Sequence, residues 1–304
     1  MFPHAARGSR HRTGRAPAIV LLCVAIAGFH MFASARGAGE RGESERTGFV
    51  EKSVAVEGEV HRYVVYVPPD YDPARRWPLI VFLHGAGDRG RDGKAPTKNG
   101  IGPAIRRHPE RFPALVLFPQ CPKDVFWNAV LDALEEELAL TRREYCVEDQ
   151  RIYLTGISMG GFGTWLWGAM EAGTFAALVP VCGGGSDIPA RAKLGMRGPS
   201  PFGSFAERVE RWVDMPIWAF HGADDKVVPP AQSSRTVALI KKAGGTRVKY
   251  TEFPDTGHGC WDKVYGDPEV IAWLLSQRKG AQEAPAMGAG SGAEDGGGCA
   301  AASP

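Results

Sequence analysis

The sequence predicts an α/β fold in which a mostly parallel central sheet carries helices on both faces. Short apolar runs that fit buried strands alternate along the chain with amphipathic segments that fit helices, an order typical of parallel sheets. Residues 79–83 are apolar throughout, as expected of a strand that is buried on both faces. The third observation is the segment Gly-Ile-Ser-Met-Gly at residues 156–160, which follows a strand pattern and precedes a helical one.

The first half of the chain contains three predicted strands and two predicted helices. Residues 63–67 form a short apolar run that two prolines end, because proline interrupts pairing in a sheet. Residues 79–83 and 114–118 are the next two strands, and a short helix is expected between them at residues 100–107.

The second predicted helix, residues 130–145, places its leucines on one face. Glu135, Glu136 and Glu137 lie largely on the other side, so we expect these three glutamates to face solvent. This interpretation assigns no carboxylate site to the helix.

The second half continues the alternation, with one interruption. Residues 183–213 follow a strand and break the rhythm, at the end of the sheet where loops of such folds hold ligands. Gly244 and Gly245 end one helix, and Pro268 lies in the first turn of the last helix. The predicted strands here are residues 151–155, 175–182, 215–220 and 248–253, and the predicted helices are residues 161–170, 231–243 and 268–277.

The start of the chain predicts export. Residues 1–35 combine several arginines, an apolar run and a small-x-small sequence that ends at Ala35. This order is typical of a secretory signal peptide cleaved after Ala35, so we expect a secreted or periplasmic protein without a stable membrane span after cleavage. An uncleaved anchor is the alternative, because the apolar run is close to the shortest that crosses a bilayer.

The remaining chain reads as one domain between two less regular segments. Residues 36–48 are predicted to be a linker, and residues 49–279 are long enough to bury a core as a single catalytic domain. Residues 280–304 are rich in glycine, alanine and serine and have no periodicity, so we expect a disordered tail.

Charge and cysteine usage exclude some classes of function. The net charge of +2 gives no case for binding nucleic acid. One of the six cysteines lies in the predicted signal peptide and another in the predicted tail. The spacing of the other four does not decide whether they form disulfides. These four are Cys121, Cys146, Cys182 and Cys260.

A possible nucleophile stands at the centre of residues 156–160. Ser158 fits the Gly-x-Ser-x-Gly elbow, in which a serine sits on a strained turn between a strand and a helix with its hydroxyl exposed. The flanking glycines suit this turn because a nearby Cβ would clash. Ser158 is therefore the predicted nucleophile.

A serine nucleophile needs a base and an acid that orients the base. Asp225 and His258 follow Ser158 in the chain order that nucleophile elbows are known to use, each in a loop after a predicted strand. Asp224 is the competitor for the acid. We favour Asp225 because it stands closer to the apolar residues that follow, and we interpret Asp255 as a turn residue.

The developing oxyanion needs two N–H donors. The N–H of Met159, directly after the predicted nucleophile, is one candidate. The second should come from the loop after an early strand, where we choose Ala86 and keep Gly87 as the alternative. Gln120, Trp127 and Trp261 are candidates for substrate binding, with core packing as the alternative for both tryptophans.

A glycine pattern near this loop resembles a dinucleotide fingerprint. Gly85, Gly87 and Gly90 follow a strand at the required spacing, but the next residues do not begin a helix, so no dinucleotide is expected. The histidines lack the short spacing of metal ligands, and His84 and His221 each precede a turn glycine as structural residues would. The sequence predicts neither a cofactor nor a metal.

Taken together, these motifs resemble the α/β-hydrolase superfamily. Within it, the chain is similar to secreted esterases grouped with feruloyl and acetyl-xylan esterases and polyhydroxybutyrate depolymerases, with the phospholipase/carboxylesterase and dienelactone hydrolase groups as neighbours. The resemblance implies Ser158 as nucleophile, Asp225 as acid, His258 as base, and no cofactor. The matching segments are residues 66–68, 83–87, 119–122, 154–161, 221–229 and 257–261.

The expected function is therefore an exported serine esterase that cleaves carboxylic esters through an acyl-enzyme. The substrate would be a small-molecule ester or an ester linked to a polysaccharide; the acyl group, the alcohol and the oligomeric state are left open. One alternative is a serine peptidase of the prolyl-oligopeptidase type. Another is a catalytically silent relative that acts as a binding protein.

Overall fold

The structure is a computed structural model of the chain, and it describes residues 47–123, 125–186 and 204–280. The predicted signal peptide with its cleavage site, nearly all of the predicted linker and of the predicted tail, and the middle of the interruption at 183–213 lie outside the described residues. The first strand starts at Gly48, one residue before the predicted domain boundary.

In the part of the chain that the structure describes, eight strands form one sheet in the order β1-β2-β4-β3-β5-β6-β7-β8. The β1–β2 and β2–β4 pairs are antiparallel, and every other neighbouring pair is parallel. This confirms the predicted, mostly parallel sheet. The strands are β1 Gly48–Val56, β2 Glu59–Val67, β3 Trp77–Leu83, β4 Leu115–Phe118, β5 Val147–Ile157, β6 Ala177–Val181, β7 Ile217–Gly222 and β8 Val248–Phe253.

Helices connect the strands, and each helix predicted from the sequence is present in the described residues. The α-helices are α1 Ile101–Arg107, α2 Leu131–Glu144, α3 Met159–Met170, α4 Phe205–Trp212, α5 Ala231–Lys242, α6 Trp261–Gly266 and α7 Pro268–Ser276. Short 3₁₀ turns occur at Ala86–Asp88, Ala95–Thr97, Pro109–Arg111 and Trp127–Ala129.

The sheet separates two apolar layers, and β3 shows why. Its seven residues are all buried, so both faces of this strand contact core. Leu79 and Val81 belong to one cluster, whereas Ile80 and Phe82 belong to the other. This is the pattern expected of a strand with helices on both sides, and it holds the carboxyl ends of the parallel strands in fixed positions.

Three elements were not predicted. The β1–β2 hairpin turns at Glu57 and Gly58, which have φ angles of 50° and 83° and so suit a tight two-residue turn. Helix α4 lies within the interruption at 183–213 and begins with a capping box between Ser204 and Glu207. Helix α6 follows the loop that contains His258.

The prediction for the glutamates of α2 is wrong at one position. Glu135 and Glu136 reach solvent, but only 1% of Glu137 is exposed. Its Oε2 has no hydrogen-bond partner among the described residues, and burial raises the pKa of this carboxyl well above its ordinary value. The apolar face of α2 is wider than the leucine spacing suggested, because the helix also packs against β1 and β2.

The four cysteines left open by the sequence are now distinguished. Cys121, Cys182 and Cys260 are buried free thiols, whereas Cys146 is disulfide-bonded. None of the helices in the described ranges is long and apolar enough to cross a membrane.

Candidate active site

The turn between β5 and α3 positions the predicted nucleophile. Ser158 has φ 54° and ψ −114°, a conformation that non-glycine residues rarely adopt. Its N–H donates to the carbonyl of Val181 at 2.9 Å, which ties the turn to β6. A Cβ at Gly156 would lie 2.5 Å from the carbonyl oxygen of Gly160, and a Cβ at Gly160 would lie 1.8 Å from that of Leu83. Both glycines are therefore required by close approach of the backbone.

The structure brings the three predicted polar residues into one hydrogen-bonded chain. Ser158 Oγ lies 2.8 Å from His258 Nε2, and His258 Nδ1 lies 2.6 Å from Asp225 Oδ2. Because the carboxylate only accepts, Nδ1 carries the hydrogen and the neutral ring presents Nε2 as an acceptor to the hydroxyl. This is the arrangement in which an imidazole can remove the proton of a serine.

The carboxylate of Asp225 is held by its own loop. Its Oδ1 accepts hydrogen bonds from the N–H groups of Val227 at 2.8 Å and Val228 at 2.9 Å. Burial alone would raise the pKa of Asp225, but the hydrogen bonds from His258 and from these two N–H groups outweigh it and lower the pKa below its ordinary value. Asp225 therefore stays ionised at neutral pH.

The two competing aspartates are placed differently. Asp224 is exposed, and its N–H donates to the carbonyl of Thr256 at 2.9 Å. Asp255 is exposed with a φ of 52° and so occupies a turn. The carboxylate in contact with the histidine is that of Asp225.

Two backbone segments next to Ser158 carry the predicted oxyanion donors. Met159 is the first residue of α3, so its N–H belongs to the helix end that has no carbonyl partner within the helix. Ala86 and Gly87 are exposed at the start of the 3₁₀ turn after β3. Gly85 brings this turn close, because a Cβ there would lie 3.7 Å from Ser158 Cβ. The turn that contains Ala86 and Gly87 therefore lies next to Ser158, and the two oxyanion donors remain predictions.

The buried side chain of His84 links this turn to the loop after β4. Its Nδ1 lies 2.7 Å from the carbonyl oxygen of Gly85, and its Nε2 accepts from the N–H of Cys121 at 3.0 Å. Burial lowers the pKa of His84 to about 4, so the ring is neutral at pH 7. The side chain has the structural role expected from the sequence.

The predicted substrate-binding residues occupy different surroundings. Gln120 is buried, and its amide bonds Gly93 N–H, the carbonyl of Asp88 and the carboxylate of Asp92. Through these contacts, the Gln120 amide holds the loop at residues 88–93.

The two tryptophans differ in exposure. Trp127 is buried and donates its indole N–H to the carbonyl of His84 at 3.1 Å. Trp261 is half-buried and meets the His258 ring edge-on, with centroids 5.8 Å apart. Of the three predicted residues, Trp261 is the one whose ring borders the histidine.

Sequence reasoning missed a second imidazole beside the acid. His221 Nε2 lies 3.1 Å from Asp225 Oδ2, although the sequence suggested only a structural role for this histidine. The signal available was the position of His221 at the end of the strand that leads into the acid loop, four residues before Asp225. Among the described residues, no group of three or more His, Cys, Asp or Glu is arranged to hold a metal ion.

Part of the chain matches a known protein family, and its fold matches solved structures. Residues 197–279 match the profile described as the prolyl oligopeptidase family. A search by sequence among proteins of curated function found no significant match.

Among solved structures, the chain is similar to a thermostable esterase, with 33% identity and a TM-score of 0.64. That alignment covers 76% of this chain and 63% of the esterase, so the chain spans less than two thirds of its length. It is also similar to the S954A mutant of the feruloyl esterase module from Clostridium thermocellum complexed with sinapinate, at 15% identity, TM-score 0.59 and coverage of 78% and 91%. A third similar structure is Pyrococcus horikoshii acylaminoacyl peptidase, at 18% identity, TM-score 0.55 and coverage of 82% and 44%.

Proposed function

We propose that this chain, which has the α/β-hydrolase fold, is a serine esterase that hydrolyses carboxylic esters through an acyl-enzyme. The observation that carries the proposal is the continuous contact from Asp225 through His258 to the Ser158 hydroxyl. The similarity to a thermostable esterase at 33% identity supports an ester as the bond that is cleaved.

In the proposed reaction, Ser158 Oγ attacks the ester carbonyl while His258 Nε2 takes its proton. Asp225 keeps His258 in the tautomer that can accept this proton and stabilises the imidazolium. The N–H groups of Met159 and Ala86 hold the negative oxygen of the tetrahedral intermediate. His258 returns the proton to the alcohol as it leaves, and water activated by the same imidazole then releases the acid.

The proposed substrate is a small-molecule ester or an ester on a polysaccharide. Trp261 supports an aromatic or acyl group at the site, since its half-buried ring lies beside His258. Gln120 and Trp127 act, in this proposal, mainly by holding the loops around the pocket. We propose no cofactor and no metal, because each step uses groups of the chain itself.

We further propose export, with a signal peptide cleaved after Ala35. The support is the sequence of residues 1–35, in which basic, apolar and small residues follow one another. The mature protein would then consist of a linker, the catalytic domain at residues 49–279 and a tail.

The direct test of this function is Ser158→Ala assayed on p-nitrophenyl esters of increasing acyl length, methyl ferulate and acetylated xylan. We expect the parent to hydrolyse at least one of these esters and the variant to lose on the order of 10⁴-fold in turnover. Circular dichroism and the melting temperature serve as controls for folding. Turnover of the variant within tenfold of the parent would refute the role of Ser158.

A peptidase is the second candidate, because residues 197–279 match the prolyl oligopeptidase family. The same serine, histidine and aspartate would act on an amide. Matched acyl p-nitroanilide and p-nitrophenyl ester substrates separate the two functions. For an esterase, we expect the ratio of kcat/KM for the ester to kcat/KM for the matched anilide to be far larger than the ratio of their uncatalysed hydrolysis rates. A silent binding protein would cleave neither and would not react with a fluorophosphonate.

A further inference from the structure

The hydrogen-bond partners of Asp225 include a side chain outside the predicted site. His221 Nε2 lies 3.1 Å from Asp225 Oδ2 and 2.9 Å from the carbonyl oxygen of Val228. Both of these oxygens are acceptors, so Nε2 carries a hydrogen that the two share. His221 is completely buried, and water therefore does not compete for this hydrogen.

With this contact, every position around the carboxylate is filled. Two backbone N–H groups, those of Val227 and Val228, occupy Oδ1. His258 Nδ1 and His221 Nε2 both occupy Oδ2. A carboxylate offers about four lone-pair positions, so four donors leave none for a proton or for water. The carboxylate of Asp225 cannot rotate without breaking these bonds.

The opposite nitrogen of His221 explains how the ring keeps its orientation. Nδ1 lies 2.8 Å from Ser233 Oγ, and the same Oγ lies 2.8 Å from the carbonyl oxygen of Gly183. The single hydroxyl hydrogen of Ser233 can serve either acceptor. Burial lowers the pKa of His221, which favours the neutral ring. With its hydrogen on Nε2, the neutral ring accepts at Nδ1, and the Ser233 hydroxyl can donate to it.

We propose that His221 is a positioning residue of the catalytic site, whose Nε2–H fixes Asp225 Oδ2 and lowers the basicity of this oxygen toward the proton on His258. The inference rests on the proposed function, in which Asp225 orients His258. An acid in this role must stay ionised while the histidine takes and returns a proton. A second donor on Oδ2 opposes transfer of the shared proton from His258 to Asp225.

The competing explanation is that His221 only fastens the acid loop through Val228, to which its contact is shorter. Two amide substitutions test the shared Nε2–H donor, and the proton resonance between His258 and Asp225 then separates the two roles. In His221→Gln the side-chain NH₂ reaches the place of Nε2 and can still donate to Asp225. In His221→Asn the amide ends near the place of Nδ1, so it can still meet Ser233 but withdraws the donor from both Asp225 and the carbonyl of Val228.

We expect kcat of His221→Gln to stay within about threefold of the parent. Because a hydrogen bond to a charged group is lost, kcat of His221→Asn should fall by about 10- to 100-fold. KM should change less than about twofold in both variants. Thr236→Val, on the helix α5 that also carries Ser233, is the matched control, because the Thr236 hydroxyl contacts Gly185 N–H and the carbonyl of Gln232 rather than Asp225. It should lose stability while keeping the kcat of the parent.

The readout specific to positioning is the low-field proton resonance of the hydrogen bond between His258 Nδ1 and Asp225. We expect the parent and His221→Gln to share its position and His221→Asn to move it further downfield, because the unshared Oδ2 attracts the proton more strongly. An unmoved resonance in both amide variants would overturn the proposal whether or not kcat of His221→Asn falls, because loosening of the loop at Val228 alone could lower kcat.

A measurement on the unmodified protein covers the case in which His221→Asn does not fold. Nitrogen NMR of the His221 ring at pH 7 should find the proton on Nε2 and none on Nδ1, whereas a proton on Nδ1 alone would overturn the proposal. An unmodified protein that neither cleaves esters nor reacts with a fluorophosphonate would refute the proposed function and this inference together. An active protein whose two amide variants behave alike would refute this inference only.

Discussion

At the scale of single residues, the site depends on a serine held in an unfavourable conformation. A positive φ at a non-glycine residue costs about 1–3 kcal/mol and persists only when its surroundings fix it. At Ser158 the surroundings are the hydrogen bond to Val181 and the close backbone contacts at Gly156 and Gly160. The turn therefore keeps the hydroxyl at the edge of the sheet, where His258 meets it.

The choice of acid gives a residue-scale prediction. Asp225→Asn should lower kcat by roughly 10⁴-fold, because an amide at Oδ2 can donate to His258 Nδ1 and so favours the wrong tautomer. Asp224→Asn, one residue away and exposed, should leave kcat within about threefold. Initial rates on the best ester of the panel measure both, and the opposite ranking of the two variants would show that Asp224 is the acid.

The sequence could predict these residues because each one stands in a short motif after a predicted strand. Ser158, Asp225 and His258 follow β5, β7 and β8, and the structure brings them within hydrogen-bond distance. The contact of His221 with Asp225 could not be predicted in the same way. A histidine at a strand end has many possible partners, and only the turn of the acid loop back toward β7 selects this one.

At the scale of elements, helix α2 carries a buried acid that the helical pattern did not reveal. Leu134 and Leu138 lie on its apolar face as predicted, and Glu137 is directly adjacent to Leu138. Helical spacing assigns each position an angle, but it does not say how wide the covered face is. Helix α2 packs against β1 and β2, and β1 had not been predicted, so the width of the buried face could not be known.

Glu137 should make the stability of the protein depend on pH. Its pKa is raised in the folded state, so the unfolded chain binds fewer protons in the range between the unfolded and folded pKa. The folded state is then favoured at low pH and loses stability as pH rises. Glu137→Gln, which does not ionise, should gain stability over the parent by up to about 1.4 kcal/mol per pH unit in this range.

Urea unfolding of the parent and Glu137→Gln at several pH values between 5 and 8 measures this difference. Glu136→Gln, on the same helix and partly exposed, is the matched control and should follow the parent. Parallel stability curves for Glu137→Gln and the parent would mean that Glu137 is ionised in the folded protein.

Two other elements show what the sequence did contain. The hairpin of β1 and β2 has the Glu57-Gly58 turn, and α4 has the Ser204 and Glu207 capping pair. Each of these short sequences indicates a turn or a helix start only when the neighbouring strand or helix is already recognised. Here the neighbouring patterns were too weak for that. In β1, buried and exposed side chains alternate weakly, so its place in the sheet depends on pairing with β2.

At the scale of the whole molecule, the site exists because one sheet edge gathers four loops. The turn with Ala86 follows β3, and the loops with Ser158, Asp225 and His258 follow β5, β7 and β8. Parallel pairing of these strands and β6 places their carboxyl ends along one edge. The sequence predicted the strands individually, whereas their order depends on contacts between distant segments that no local pattern contains.

Export is a whole-molecule prediction that depends on residues 1–35. We expect the secreted or periplasmic protein to begin at Arg36, since the small-x-small sequence ends at Ala35. N-terminal peptide mapping by mass spectrometry of the protein from each cell fraction measures this. A chain that keeps Met1 and stays with the membrane would indicate an uncleaved anchor, and an intact chain among cytoplasmic proteins would contradict export.

The central claim is that Ser158 is the nucleophile, and covalent labelling tests it most directly. The parent protein is incubated with a fluorophosphonate, and intact mass and peptide mapping locate the adduct. We expect one adduct per chain, on Ser158, formed in step with the loss of ester hydrolysis and absent from Ser158→Ala. Ester hydrolysis that persists without an adduct, or an adduct on a different residue, would contradict it.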